Sequence, residues 1–181
     1  GETWEEINTG LFNHSIRDLV INNEGNIFAA TYGSGIFVST NCGDSWEFAS
    51  EDLQHNHLSL LSINQNDHLF TVSSKYIYRS TDNALTWELV ADNIFGEIIY
   101  ALEINQNGHI YVGTYAGVHI SKDNGETWET KTAGMTNTKI RSLFFTSTGA
   151  IFAGVFSDKG YRSLDNGETW EPFSYNGLRS I

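Results

Sequence analysis

Two arginines hold one position in a repeated pattern: Arg17 in Ile16-Arg-Asp-Leu-Val-Ile21 and Arg141 in Ile140-Arg-Ser-Leu-Phe-Phe145. Ser59 and Tyr100 stand there in the two intervening copies, and Arg179 joins the set under one alignment of the tail 176–181. A guanidinium is a permanent cation whose N–H fork matches a carboxylate, so arginines repeated in this way could hold an anionic ligand. Tyr32, Tyr115 and Phe156 are equivalent to one another as well and could form an aromatic rim that stacks on sugar rings. Their structural reading is packing over the end of a neighbouring sheet. Arg17, Tyr32, Tyr100, Tyr115, Arg141 and Phe156 are therefore the candidate ligand-binding residues.

Other chemistry is thinner. His55-x-His57 could bring two imidazoles together, but no acid or thiol at ligand spacing accompanies them, so no metal site is expected. His68 and His109 share one repeat position, which reads as a strand start. A glutamate follows every tryptophan, at Glu5, Glu47, Glu88, Glu129 and Glu171; on an exposed edge strand such a charge discourages pairing with another molecule, and no catalytic residue is assigned. No glycine-rich phosphate cradle and no Ser-His-Asp set stands out, and no cofactor is implied. The single cysteine, Cys42, falls in a turn and excludes an intrachain disulfide.

What must position these residues is a repeat. Tryptophan returns at Trp4, Trp46, Trp87, Trp128 and Trp170, about every forty residues, each time closing one polar turn. The turn is built on Ser39, Asn41, Gly43 and Trp46; on Ser80, Asp82, Ala84 and Trp87; on Ser121, Asp123, Gly125 and Trp128; and on Ser163, Asp165, Gly167 and Trp170. The chain opens on a truncated copy, Gly1-Glu-Thr-Trp4. An Asp or Asn oxygen bonds its own backbone two residues on, and glycine supplies a left-handed conformation. Between the turns each repeat reads as a four-stranded meander. Its first strand carries Leu19, Leu61, Leu102 or Leu143 at one position and Ile21, Ile63, Ile104 or Phe145 two residues on, so one face is apolar. Its second strand alternates large and small at Phe28/Ala30, Phe70/Val72, Tyr111/Gly113 and Phe152/Gly154, as tightly stacked, twisted sheets require.

The turn resembles the Asp-box, S-x-D-x-G-x-x-W, also called the BNR repeat, of sialidases, sortilin-type receptors, xyloglucan-degrading glycosidases and photosystem II assembly factors. The resemblance covers the whole chain. It implies an all-β propeller of four-stranded blades, about four of them present, in an incomplete, open ring. It also implies that each Trp is buried between adjacent blades. Asn41 in place of Asp and Ala84 in place of Gly suggest that those two turns are less well formed. In these families the motif is a folding device, so it transfers architecture and no catalytic residue. Sialidases hold a carboxylate with three arginines, which bears on Arg17 and Arg141; the Arg-Ile-Pro motif of that family is absent, the one proline being Pro172.

Twenty-two Asp and Glu against ten Lys and Arg give a formal net charge of −12, which argues against nucleic acid or an anionic membrane surface as partner. No apolar run is long enough to insert in a membrane. We read residues 1–181 as one propeller segment with repeats near 4–45, 46–86, 87–127 and 128–169 and a partial repeat at 170–181, cut from a longer chain. The expected function is non-catalytic recognition of protein or glycan by a secreted or surface-exposed bacterial protein. Alternatives are a fragment of a sialidase- or xyloglucanase-type glycoside hydrolase, or an assembly factor resembling the photosystem II type. Uncovered blade faces would favour self-association or be met by further blades of the parent chain.

Overall fold

The computed structural model describes residues 3–93, 95–156 and 159–174. The tail alignment that would recruit Arg179 lies outside them, as do Ser157 and Asp158 of the last β-turn. The described residues form four antiparallel sheets of four strands, each a meander in chain order. The first is β1 (Ile16–Ile21), β2 (Ile27–Thr31), β3 (Gly35–Ser39) and β4 (Glu47–Phe48). The second is β5 (Leu60–Ile63), β6 (Leu69–Ser73), β7 (Tyr76–Ser80) and β8 (Glu88–Asp92). The third is β9 (Ala101–Ile104), β10 (Ile110–Thr114), β11 (Gly117–Ser121) and β12 (Glu129–Lys131). The fourth is β13 (Ile140–Phe145), β14 (Ile151–Val155), β15 (Lys159–Ser163) and β16 (Glu171–Ser174). The chain divides into two compact units, Gly1–Asp92 with the first two sheets and Asn93–Ile181 with the last two. Among the described residues no helix is long and apolar enough to cross a membrane.

Each unit has its own core between two sheets. In the first, Phe28, Ala30 and Ile36 meet Leu58, Leu61, Tyr78 and Trp87. In the second, Tyr111, Val118 and Ile120 meet Ile140, Leu143, Tyr161 and Trp170. The alternation of large and small is what lets the sheets approach: a Cβ on Gly113 would lie 2.7 Å from Cγ2 of Ile140. Leu61, Leu102 and Leu143 are buried as expected, whereas Leu19 and Ile21 are 54% and 61% exposed. The face of the first sheet that carries them has no sheet packed on it within its unit.

The Asp-box turns are built alike in all four copies. The serine Oγ accepts a hydrogen bond from the amide four residues on, at 2.8 Å for Gly43, Gly125 and Gly167 and 2.9 Å for Ala84. The same hydroxyl donates to Oδ1 of Asn41, Asp82, Asp123 or Asp165, and that oxygen also accepts the amide of Ser45, Thr86, Thr127 or Thr169. The expectation that the Asn41 and Ala84 turns are less well formed is therefore corrected. Ala84 adopts the left-handed conformation itself, at φ 68°. Asn41 reverses one bond: its Nδ2 donates to Ser45 Oγ at 2.9 Å, where the second oxygen of Asp82, Asp123 and Asp165 accepts from a threonine hydroxyl.

What the turn delivers is the tryptophan. The Trp46 indole donates to the carbonyl of Ile7 and the Trp87 indole to that of Ala49, both at 2.9 Å. Ile7 and Ala49 each lie three residues past the preceding tryptophan, so each ring clamps the segment that follows that tryptophan. The clamp has a backbone half as well, Trp46 N to Thr9 O and Trp170 N to Ala133 O at 2.8 Å. Gly10 and Gly134, both at φ 89°, make room for it: a Cβ there would fall about 2 Å from the carbonyl oxygen of Trp46 or Trp170. Burial of every tryptophan does not hold. Trp46, Trp87 and Trp170 are buried, but Trp4 is 91% exposed. Trp128 is half-buried; its Nε1 is satisfied at 3.1 Å by Gly125 O of its own turn, and its ring stands edge-on to Phe95.

Two of the glutamates after the tryptophans face a cross-strand arginine, and a third pairs within its own strand. Glu88 sits opposite Arg79 and Glu171 opposite Arg162 in the outer strand pairs, each in a salt bridge, and Glu129 pairs with Lys131.

Two outcomes check this account of the turn. Trp87→Ala should cost ~3–5 kcal/mol in denaturant unfolding, as for large aromatic truncations, and Trp4→Ala no more than ~0.5 kcal/mol. The side-chain hydroxyl of Thr169, then its amide and the Ser163 hydroxyl, hold Asp165 at about 2, and Asp123 is lowered by the same kind of bonds. At Asp82 burial pushes upward, but the bonds from Thr86 and Ser80 outweigh it and the net direction is down. A carboxylate depressed in the folded state stabilises fully above its unfolded value of about 4, and that contribution is lost as pH falls toward 2. Thermal melts across that range should show a falling midpoint, and Asp165→Asn should flatten the fall.

Candidate functional site

The inner strands start with a defect that aims a side chain. In β1 the register shifts between Ile16 and Asp18, and in β13 between Ile140 and Ser142; the unpaired residues are Arg17 and Arg141. A bulge of this kind bends the strand and re-aims the extra residue. The aromatics arrive from the next strand. Tyr32 follows β2, Tyr115 follows β10 and Phe156 follows β14, each leaving the ladder beside the start of an inner strand. Tyr32 N donates to Ser15 O and Phe156 N to Lys139 O.

The six candidate residues thereby fall into two groups, one in each unit. In the first unit the Arg17 guanidinium carbon lies 4.8 Å from the centre of the Tyr32 ring, and His57 meets the same ring edge-on at 4.7 Å. In the second unit four candidates converge. Arg141 lies 4.6 Å from the Tyr100 ring centre and 5.6 Å from that of Phe156, held between two aromatic faces. Tyr100 and Tyr115 stack at 4.6 Å with their planes 20° apart. Arg141 Nη1 donates to Tyr115 Oη at 3.4 Å, and Lys139 Nζ is 5.8 Å from the Tyr115 ring. Sequence reasoning missed His57 and Lys139 as members. Lys139 was legible as the residue two before the repeated arginine.

The two tyrosines differ electrically. The hydrogen bond from Tyr100, then the one from Arg141, lowers the Tyr115 hydroxyl below its usual value. Donating that bond raises Tyr100, with desolvation adding to it. Tyr115 is thus the more acidic partner and an acceptor toward the cations.

The charges around the site are sorted. Arg79, Lys122, Lys131 and Arg162 all pair with glutamates of the outer strands and box turns. Arg17, Lys139 and Arg141 have no carboxylate in salt-bridge contact among the described residues and rest on aromatic rings instead. A guanidinium on a ring face keeps its N–H edge open to an incoming anion. His55 and His57 do not form a metal pair. The His55 ring stacks on Tyr76 at 3.9 Å and reaches the Tyr78 hydroxyl, while His57 turns to Tyr32. Among the described residues no group of three or more His, Cys, Asp or Glu side chains is gathered as a metal would need.

Removing the cation should be visible in the tyrosines. Arg141→Gln is expected to move the first tyrosinate absorbance step to higher pH, because Tyr115 loses a donor and a positive charge; an unchanged titration would detach Arg141 from the pair.

Comparisons with known proteins bear on the frame that carries this site. The model of the BNR/Asp-box repeat matches residues 119–130 and 161–172, the third and fourth box turns. An ancestral GH74 enzyme superposes with TM-score 0.75 at 21% identity, over 96% of this chain and 26% of that one. YCF48 bound to D1 peptide gives 0.73 at 17%, over 94% and 56%. The extracellular domain of the BT4673 one-component system of B. thetaiotaomicron gives 0.67 at 15%, over 84% and 22%. No curated protein matches in sequence. The chain thus spans about a quarter to somewhat over half the length of these structures, and at such identity the likeness establishes the fold.

Proposed function

We propose that this chain, which carries Asp-box repeats on sheets matching part of a β-propeller, is a non-catalytic recognition module. It binds an anionic segment of a protein or glycan at the rim formed by Arg141, Tyr100, Tyr115 and Phe156. The observation that carries the reading is Arg141, a cation lifted out of the strand by a bulge, laid between two aromatic faces and, among the described residues, in salt-bridge contact with no carboxylate. Its N–H edge can take a carboxylate, and the half-exposed rings beside it add apolar contact. A like arrangement at Arg17 and Tyr32 provides a second, smaller contact. That YCF48 was solved with a D1 peptide, and that the BT4673 domain is extracellular, support a recognition role and an extracellular setting for this kind of frame.

The glycoside hydrolase alternative has one observation in its favour, the fold likeness to a GH74 enzyme. Glycoside hydrolysis commonly requires two carboxyl groups facing one bond. The acid whose charge acts on Tyr100 at the rim is Glu97. The assembly-factor alternative is the protein-binding arm of the same proposal.

Acidic peptides and uronic or sialic acid glycans, compared with their neutral counterparts in a titration, test the reading. Binding to the acidic members should fall about tenfold or more in Arg141→Gln, the usual weight of a charge-assisted hydrogen bond. Equal binding of neutral and acidic members would refute the anion assignment. A panel of chromogenic sialosides and β-glucans should show no turnover, and hydrolysis abolished by changing Arg17 or Arg141 would place the enzyme reading first.

A further inference from the structure

The first unit contains a cavity of about 470 Å³ away from the arginines, between the loop before β1, the β2–β3 turn and the segment after β4. It exists because β4 is two residues long. Where β8 runs from Glu88 to Asp92, β4 ends at Phe48, and the chain then turns with Leu53 N bonding Ser50 O. The volume lies in the range of small-ligand sites.

The lining is aromatic on one side and acceptor-rich on the other. Phe12 stands edge-on to Phe37 at 4.7 Å and lies 6.0 Å from Phe48, yet Phe12 and Phe48 remain 71% and 44% exposed. Phe95, the counterpart of Phe12 in the second unit, instead lies flat on His119 at 4.1 Å. The polar lining includes the Glu51 carboxylate, the hydroxyls of Ser34 and Ser50, and Asn56. Ser50 Oγ accepts from Ile36 N, and Ser34 Oγ accepts from Asn13. No Lys or Arg lines the cavity, and its one charge is negative.

We infer that this cavity is a binding site for an alkylammonium group, either a lysine side chain of a partner or a quaternary ammonium compound. An ammonium offers positive charge and C–H or N–H donors, which the Glu51 carboxylate and the remaining lone pairs of the serine hydroxyls can accept. Two phenyl rings with a carboxylate beside them suit the methylene stem or methyl groups of such a cation. An anion is opposed by Glu51. A neutral sugar brings no charge to pair with Glu51, which sets it apart from the cation. The site is independent of the Arg141 rim, which favours the opposite charge.

The test is a titration of the full chain with choline, N-acetyl-lysine methylamide and methyl glucoside, followed by NMR shifts of the Phe12 and Phe48 ring protons. Saturable shifts with one or both cations and none with the glucoside are expected, and the comparison of the two cations identifies the source. Glu51→Gln and Phe12→Ala should each weaken binding by about threefold to thirtyfold, the span of a cation–π or exposed charge contact. Glu51 is exposed, so Glu51→Gln should keep the wild-type melting curve; Phe12 packs against Phe37, and Phe48→Leu, which preserves an apolar strand residue, serves if Phe12→Ala does not fold. No shift with either cation, the same response to the glucoside, or undiminished binding in Glu51→Gln would overturn the assignment. Loss of acidic-ligand binding at Arg141 would leave this result untouched.

Discussion

The hydrogen bond from a backbone amide to a serine hydroxyl four residues back is the constraint on which the rest depends. It is made within the turn, at Ser39, Ser80, Ser121 and Ser163, all buried to about 1% or less. Because the hydroxyl also donates to the Asx oxygen, one atom fixes both ends of the turn, and the following Trp emerges in a set direction. In the first unit that direction carries the indole onto the segment after the preceding tryptophan, and at Trp87 this joins the second sheet to the chain leaving β4 by a polar bond inside an apolar contact. A buried N–H without such an acceptor would cost 1–3 kcal/mol, so the partner carbonyl is part of the fold's specification.

A second repeated device closes the opposite end of each blade. The ring at the centre of the third strand is Phe37, Tyr78, His119 or Tyr161, and in every repeat the loop entering the blade is fastened to it. Phe12 packs edge-on against Phe37, and His55 bonds Tyr78. Phe95 stacks on His119, and Tyr161 Oη accepts the amides of Thr136 and Asn137. The chemistry differs each time while the place is constant. At His119, burial holds the imidazole at about 4, so it is neutral at ordinary pH and bonds the hydroxyls of Thr114 and Thr130, both at 2.9 Å. These fastenings fix the loops that lead into the bulged starts of β1 and β13, which is how a fold device becomes a site device.

The sheets and the turns were legible, because each rests on a period that survives substitution. Arg17 and Arg141 could be found since they break an otherwise apolar or small position twice. Their bulge could not, because register depends on how β1 and β13 meet β2 and β14, and no single residue marks it. Asn41 and Ala84 misled in the same way: the motif's consensus hides that an amide oxygen does the work of a carboxylate oxygen and that alanine adopts the left-handed turn with its methyl buried in the core. Trp4 and Trp128 failed the expectation of burial because the letter W records the ring and not what lies against it. The fastening of loops to Phe37, Tyr78, His119 and Tyr161 was invisible since its partners share no residue type.

If the serine-to-amide bond is the keystone, opening it should require opening the blade. Native-state hydrogen exchange reads this directly at the amides of Gly43, Ala84 and Gly167. These turn amides should exchange with the same opening free energy as amides in the middle of β2, β6 and β14, although they lie in turns. Exchange of the turn amides through low-energy local openings, while the strands stay protected, would contradict the account.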